Sequence, residues 1–233
     1  MKKYLLNPYY ILKNDQKRIV LCNGPSFTID FQIAEADLNL FLHPMFAAVL
    51  AVFDGERSFT SCIDEIVDLF QVSHQEARVL VGVFIENKKK VGLLYDNEYF
   101  EFPKNVLIDN SSGKFSKRAL NYRDYLIEGK LDFNTQRLFL GPTTINLLVN
   151  TLCATDCIYC YADRTKKMDC KIPFNRIREL IREAKQIGVV DFDISGTEIF
   201  LYNHWFELVS ELVNNGYYPY LSTKYPIDEE VVR

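Results

Sequence analysis

Three cysteines on one short loop constrain this chain more than any other feature of its sequence. Cys153, Cys157 and Cys160 stand within eight residues, directly after the apolar run from Ile145 to Val149. Thiolates at such spacing hold soft metals, which in proteins means iron–sulfur clusters, zinc or copper(I). The loop therefore predicts a metal or cluster site at the end of a strand.

The number of cysteines separates two kinds of site. A four-iron cubane has four irons to ligate, so three local cysteines leave one iron open for a ligand that is not protein. A structural zinc site needs four protein ligands, and Cys170 or His204 would have to be the fourth. Neither stands at a spacing typical of zinc loops, so an iron–sulfur cluster is favoured and a zinc-binding structural protein is the alternative.

The Cys-x3-Cys-x2-Cys loop, with the aromatic Tyr159 before its last cysteine, resembles the loop of radical S-adenosylmethionine (SAM) enzymes. The resemblance implies a 4Fe-4S cluster on Cys153, Cys157 and Cys160, with SAM chelating the open iron. In that family an electron from the cluster cleaves SAM, and the 5′-deoxyadenosyl radical abstracts hydrogen from the substrate. A reductant protein such as a flavodoxin or ferredoxin is then an expected partner.

From Thr143 onward the pattern alternates between strands and helices. Strands are predicted at Ile145–Val149, Val189–Ile194 and Tyr217–Leu221, with a helix opened by Pro173 and another capped by Asn203. Such units build parallel sheets, whose ligands lie beyond the carboxyl ends of the strands. The cysteine loop occupies that edge.

Two further strand ends resemble SAM-binding segments of the family. Ser195-Gly196-Thr197-Glu198-Ile199 resembles Gly-Gly-Glu-Pro, although Thr197 replaces the second glycine and Ile199 the proline. The resemblance assigns Glu198 to the SAM ammonium group and Gly196 to a close backbone approach. It also places Tyr159 near the adenine, Thr197 in the same loop, and Ser222 and Thr223 near the ribose. Apart from this resemblance, the residues of these segments indicate only ordinary turns and polar strand ends.

Composition excludes several other classes. With 48% hydrophobic residues, the 233-residue chain can bury one large core or two ordinary ones, and a formal charge of −4 argues against a nucleic-acid-binding surface. Asn7 and Pro8 interrupt the apolar start, and the longest apolar run, Phe41–Phe53, is too short to cross a bilayer. Six cysteines, three of them on one loop, favour metal chemistry in a reducing compartment. We therefore expect a cytoplasmic protein without a membrane partner.

The first hundred residues predict a winged-helix-like α+β domain. Three short antiparallel strands are predicted at Tyr9–Leu12, Arg18–Cys22 and Phe27–Phe31. Three helices are predicted next: Met45–Phe53 after Pro44, one capped by Thr60 or Ser61, and one from the capping box at Ser73 to about Asn87. A hairpin of Leu93–Tyr95 and Tyr99–Phe102 is predicted to follow.

This order of elements resembles the PqqD-like domains fused ahead of many radical SAM maturases of ribosomally synthesised, post-translationally modified peptides (RiPPs). The resemblance implies that the leader of a precursor peptide adds as a strand to the three-stranded sheet and packs on the third helix. That helix has more apolar surface than one stripe requires. The expected peptide-binding residues are Phe27, Ile29, Phe31, Val79 and Val83. A winged helix used for docking or dimerisation is the alternative.

The predicted organisation is a recognition domain at residues 1–102, a linker at 103–142, and an α/β partial (βα) barrel fragment with parallel strands at 143–233. The resembling catalytic domain has six strand–helix units, and SPASM-type maturases add a cysteine-rich region for auxiliary clusters. Because three units are predicted here, we expect a truncated chain or natural fragment, weakly active or inactive alone. The expected function is precursor-peptide modification by hydrogen abstraction, with no catalytic side chain assigned. A non-catalytic peptide-binding module is the alternative.

Overall fold

The computed structural model describes residues 1–24, 29–118, 120–160, 172–196 and 198–229. The chain forms two compact units, Met1–Leu140 and Gly141–Arg233. Each unit buries its own hydrophobic core. Within the described ranges, no helix is both long enough and apolar enough to span a bilayer.

The described part of the first unit contains small antiparallel sheets and three α-helices. Its strands are β1 (Tyr4–Leu6), β2 (Tyr10–Asn14), β3 (Ile19–Asn23), β4 (Asn39–Leu42), β5 (Val91–Tyr95), β6 (Glu98–Phe102) and β7 (Leu107–Asp109). Its helices are α1 (Pro44–Ala51), α2 (Phe59–Phe70) and α3 (His74–Gly82). Strand β1 pairs with β7, β3 pairs with both β2 and β4, and β5 pairs with β6.

The predicted β2–β3 and β5–β6 pairs are confirmed, and so is the capping box that begins α3. The Ser73 hydroxyl accepts a hydrogen bond from the Glu76 amide, and the Glu76 carboxylate accepts one from the Ser73 amide. Helix α3 ends at Gly82, before the predicted Asn87. The Leu107 amide donates to the Phe84 carbonyl at 3.0 Å, so tertiary pairing replaces the last helical turn.

The third strand of the central sheet differs from the predicted strand Phe27–Phe31. Phe27 lies outside the described residues, and Ile29 and Phe31 do not belong to a strand. The Asp30 carboxylate accepts a hydrogen bond from the Gln32 amide at 2.9 Å, which turns the chain. Ile29 is buried in the core, at 8% exposure. Strand β4 pairs with β3 instead, so the predicted edge strand is wrong for residues 29–31.

The segment predicted as a linker belongs to the first unit as far as Leu140. Its strand β7 pairs with β1, and Tyr122–Tyr125 forms a short 3-10 helix. The half-buried Arg118 guanidinium donates to the carbonyls of Asn7 and Tyr10 at 2.9 and 2.7 Å. Contacts distant in sequence therefore order a segment whose composition resembles a loop.

A buried ion pair holds the end of this segment. Arg18 and Asp15 have fully buried side chains and an Nε–Oδ2 distance of 3.1 Å. The guanidinium also donates to the Arg137 carbonyl at 2.9 Å and lies 3.5 Å from the centre of the Phe41 ring. The second carboxylate oxygen of Asp15 accepts from the Phe139 amide at 2.8 Å. This network ties the last residues of the unit to the β2–β3 hairpin.

His43 caps helix α1 in its neutral form. Its Nδ1 accepts a hydrogen bond from the Met45 amide at 3.1 Å, which an imidazolium cannot do. The ring lies 4.9 Å from the Tyr95 ring and 6.1 Å from the Phe100 ring, measured between centroids. Burial lowers the pKa of His43, while the nearby charge of Asp96 opposes that shift.

We expect His43 to make the first unit less stable in weak acid. Unfolded histidine titrates near pH 6.5, and the folded-state pKa is lower, so the folded chain binds fewer protons between the two values. The stabilisation from neutral His43 is complete above about pH 6.5 and is lost as the pH falls through the folded-state pKa. Urea unfolding measured from pH 7.5 to 5 should show that the free energy of unfolding falls more steeply for the wild type than for His43→Asn. The asparagine keeps an oxygen that can cap the helix. Equal slopes would contradict the prediction.

The described part of the second unit contains a three-stranded parallel sheet and two α-helices. Its elements are β8 (Thr144–Asn146), α4 (Phe174–Gln186), β9 (Asp191–Ile194), α5 (Trp205–Asn214) and β10 (Tyr220–Leu221). The strand order is β10-β9-β8, and both pairs are parallel, as predicted. Phe192 and Ile194 of the central strand share a core with Ile177 and Ile181 of α4 and Leu208 of α5.

Candidate functional site

The candidate site lies at the carboxyl ends of the three parallel strands. The cysteine loop follows β8, the segment 195–198 follows β9, and the segment 222–225 follows β10. Ligands of such sheets bind at this edge, because the loops leaving the strands meet there. Asn146 at the end of β8 donates to the Ser195 hydroxyl after β9 at 2.8 Å. The structure therefore brings these segments together.

Glu198 joins the ends of β9 and β10. It is buried, at 2% exposure, and a buried carboxylate needs hydrogen-bond partners. One oxygen accepts from the Thr223 hydroxyl at 2.7 Å, and the other accepts from the Lys224 amide at 3.2 Å. The first oxygen also accepts from the Phe200 amide at 3.4 Å. Two residues predicted from the sequence, Glu198 and Thr223, are thus in direct contact.

The backbone of Glu198 also holds the start of the cysteine loop. Its amide donates to the Leu152 carbonyl at 3.0 Å, and its carbonyl accepts from the Asn150 side chain at 3.4 Å. The Asn150 side-chain oxygen accepts in turn from the Leu152 amide at 2.9 Å. Sequence reasoning missed Asn150 as a functional residue. Its position directly after an apolar run was the available signal.

The three cysteines of the loop are accessible to different degrees. Cys153 and Cys160 are exposed, and Cys157 is half-buried. The Thr155 hydroxyl lies 3.8 Å from the sulfur of Cys153 and 3.3 Å from that of Cys157. Among the described residues, no three side chains of His, Cys, Asp or Glu are grouped so that they could hold a metal ion. Three accessible thiols suit an iron–sulfur cluster chemically, but they are not arranged around a common centre.

The remaining candidate ligands do not join this loop in the described structure. Burial raises the pKa of Cys22 to about 12 and that of Cys62 to about 11, so both thiols stay protonated at neutral pH. His204, a possible fourth zinc ligand, stacks on Phe174 with ring centroids 5.3 Å apart. Cys170, the other possible ligand, lies outside the described residues.

The other residues assigned to SAM surround the same edge. Gly196 is exposed and has a φ of 75°, a left-handed conformation that glycine adopts without strain. Tyr159, at 77% exposure, and Ser222 are both exposed. Thr197 lies outside the described residues. The structure therefore joins Glu198 to Thr223, but neither Tyr159 nor Ser222 is among the donors to the Glu198 carboxylate.

The structure separates the residues assigned to peptide binding. Val79 and Val83 line a groove of about 590 Å³ together with Leu80 and with Leu93 of β5. Ile29 and Phe31 are not among the residues that line it. The apolar surface predicted on α3 thus faces the β5–β6 hairpin.

Two crystal structures resemble this chain. Streptococcus suis SuiB bound to precursor peptide SuiA has a TM-score of 0.50 and 13% identity, over 100% of this chain and 45% of SuiB. SuiB bound to S-adenosylmethionine has a TM-score of 0.51 and 13% identity, over 98% of this chain and 44% of SuiB. Neither a protein-family model nor a curated protein matches the sequence. This chain spans less than half the length of SuiB, and it shares the fold of that part.

Proposed function

We propose that this chain is part of a radical SAM peptide maturase, whose second unit holds a 4Fe-4S cluster and SAM and whose first unit binds a precursor peptide. The observation that carries the proposal is the role of Glu198 at the edge of the parallel sheet. Its carboxylate holds the segment after β10 and its backbone holds the cysteine loop after β8. The fold shared with SuiB, which binds SAM and a precursor peptide, supports the proposal.

In this proposal Cys153, Cys157 and Cys160 hold the cluster. Their sulfurs are soft donors, and all three side chains are accessible at the end of β8. When bound, the cluster and SAM supply the electron and the 5′-deoxyadenosyl radical for hydrogen abstraction. A flavodoxin or ferredoxin would supply the electron to the cluster.

The chain's own residues orient the cofactors. Tyr159, Gly196 and Ser222 are exposed around the loop and are proposed to contact SAM, as is Thr197 in the same segment. The hydrogen bond that the Thr223 hydroxyl donates to the Glu198 carboxylate favours a positioning role for both. The Glu198 carboxylate accepts three hydrogen bonds and keeps further acceptor capacity, but at 2% exposure its side chain would have to become accessible before it could contact the SAM ammonium group.

Anaerobic reconstitution with ferrous iron and sulfide tests the proposal. We expect about four iron and four acid-labile sulfide per chain, and a change in the electron paramagnetic resonance spectrum of the reduced cluster when SAM is added. SAM should produce this change because it would ligate the open iron. Bound zinc without acid-labile sulfide would contradict the proposal and favour a structural zinc site.

A non-catalytic peptide-binding module is the second candidate. The described residues do not arrange a ligand set around a metal, while the groove beside α3 is formed and accessible. A chain that binds peptide but takes up neither iron nor zinc would favour this function.

A further inference from the structure

The exposed apolar side chains of α3 face the β5–β6 hairpin across a continuous groove. Val79 of α3, at 68% exposure, and Val83 directly after α3 line one side of it, and Leu93 of β5 lines the other. A second hollow of about 250 Å³ shares Leu80 and Leu93 with the groove. It extends the apolar surface to Leu94, which is 75% exposed. The groove thus runs along β5.

The hairpin has one occupied side and one open side. Strand β6 pairs with β5 and also lies beside β4 of the central sheet. The segment around Phe31 and Ile33 is held by Lys104, whose ammonium group donates to the Phe31 carbonyl at 2.8 Å, and by Asn105, which donates to the Ile33 carbonyl at 3.2 Å. No described strand pairs with the other edge of β5. That edge lies next to the groove.

The register shows which backbone groups the open edge presents. The turn Asp96–Asn97 has φ values of 51° and 61°, as in a two-residue hairpin loop, and it joins the pair Tyr95 and Glu98. The pair that flanks such a loop is hydrogen-bonded, and hydrogen-bonded pairs alternate along an antiparallel ladder. The amide and carbonyl groups of Gly92 and Leu94 therefore point away from β6, toward the open edge.

The open edge is also electrically polarised. Lys88 and Lys89 precede β5, are exposed, and form no ion pair with any described residue. Lys90 differs, since its ammonium group lies 2.9 Å from the Glu101 carboxylate. Asp96 lies at the opposite end of β5. A ligand along this edge would meet cations at one end and a carboxylate at the other.

We propose that β5 is the strand to which an extended peptide adds, in antiparallel direction, with alternate apolar side chains in the groove against α3. Antiparallel pairing is slightly more stable per residue than parallel pairing, and edge addition satisfies the free backbone groups. In this direction the carboxyl end of the peptide lies beside Lys88 and Lys89. The peptide is therefore acidic on the carboxyl side of its apolar stretch. This inference rests on the proposed peptide-binding function of the first unit, and it places the docking strand in the hairpin rather than in the three-stranded sheet.

A display library of random dodecapeptides, selected on the whole chain, supplies the probe. Enriched sequences should alternate apolar and polar residues and end in acidic ones. Resynthesised fluorescent peptides are then titrated against Leu94→Pro and Leu94→Thr by anisotropy. Both variants lose the leucine side chain, but only proline removes the outward amide. We expect roughly tenfold weaker binding to Leu94→Pro than to Leu94→Thr, as for the loss of one good hydrogen bond.

Two further variants keep the test decisive if Leu94→Pro does not fold. Val79→Glu should weaken binding much more than Val79→Thr, because the exposed side chain lines the groove. Lys88→Glu should weaken the binding of peptides whose acidic residues follow the apolar stretch. It should not weaken the binding of peptides whose acidic residues precede that stretch.

Several results would overturn the inference. The first is that no peptide is enriched, and the second is that the two Leu94 variants fold and bind peptide with equal affinity. The third is that the chain forms a dimer, that Leu94→Pro dissociates this dimer, and that added peptide does not. Iron and sulfide content, measured on the same preparations, separates the two proposals. A loaded cluster together with peptide binding that Leu94→Pro and Val79→Glu leave unchanged refutes only this inference, whereas peptide binding without a cluster refutes only the cofactor half of the proposed function.

Discussion

Cys157→Ala is expected to take up essentially no acid-labile sulfide under conditions that load the wild type. The proposed cluster has three protein ligands, so the variant would leave two thiolates for four irons. Cys157 is the middle cysteine of the loop, and its carbonyl accepts a hydrogen bond from the Cys160 amide at 3.1 Å. The measurements are iron and sulfide content and the absorbance of the reconstituted protein.

Two controls accompany this prediction. Ile158→Ala changes a fully exposed neighbour in the same loop and should load like the wild type. Cys62→Ala removes a buried thiol whose pKa is raised to about 11, and it should also load normally. Full sulfide content in Cys157→Ala, together with its loss in Cys170→Ala, would show that the ligand set had been assigned to the wrong cysteines.

Arg18→Met is expected to destabilise the first unit by about 3–5 kcal/mol, the usual cost of removing one partner from a buried ion pair. The variant leaves the Asp15 carboxylate buried without its cation, and it removes the donor to the Arg137 carbonyl. Methionine fills much of the same volume, so the loss would report on charge and hydrogen bonding rather than on a cavity. Urea unfolding followed by far-ultraviolet circular dichroism measures it.

Lys117→Met is the matched control for Arg18→Met. Lys117 also forms an ion pair in the first unit, 3.0 Å from Glu56, but half of its side chain is exposed. Solvent and salt screen an exposed pair, which therefore contributes little to stability, so this variant should unfold close to the wild type. If Arg18→Met lowered the free energy of unfolding by less than about 1 kcal/mol, the buried network would contribute no more than a surface ion pair.

Elements with local signals were predictable from the sequence. The capping box at Ser73 and the apolar spacing of α4 depend on residues three or four positions apart, so the chain encodes them without tertiary contacts. The β2–β3 hairpin follows from apolar runs on either side of Asn14 and Asp15. The order of the candidate site was predictable for a similar reason, because strand–helix alternation makes parallel strands and brings their ends to one edge.

The remaining features depend on contacts between distant residues. The sequence by itself determined that the cysteine loop, Glu198 and Thr223 would follow three successive parallel strands. Only the tertiary structure decided that the Glu198 carboxylate bonds inward to Thr223, and that Arg18 draws residues 132–140 into the first unit. It also showed that residues 29–31 form no strand and that β4 pairs with β3, and it turned the apolar face of α3 toward β5. Local sequence patterns specify which helices and strands form. The partners of buried polar groups and of strand edges are residues distant in sequence, and these become neighbours only in the completed fold.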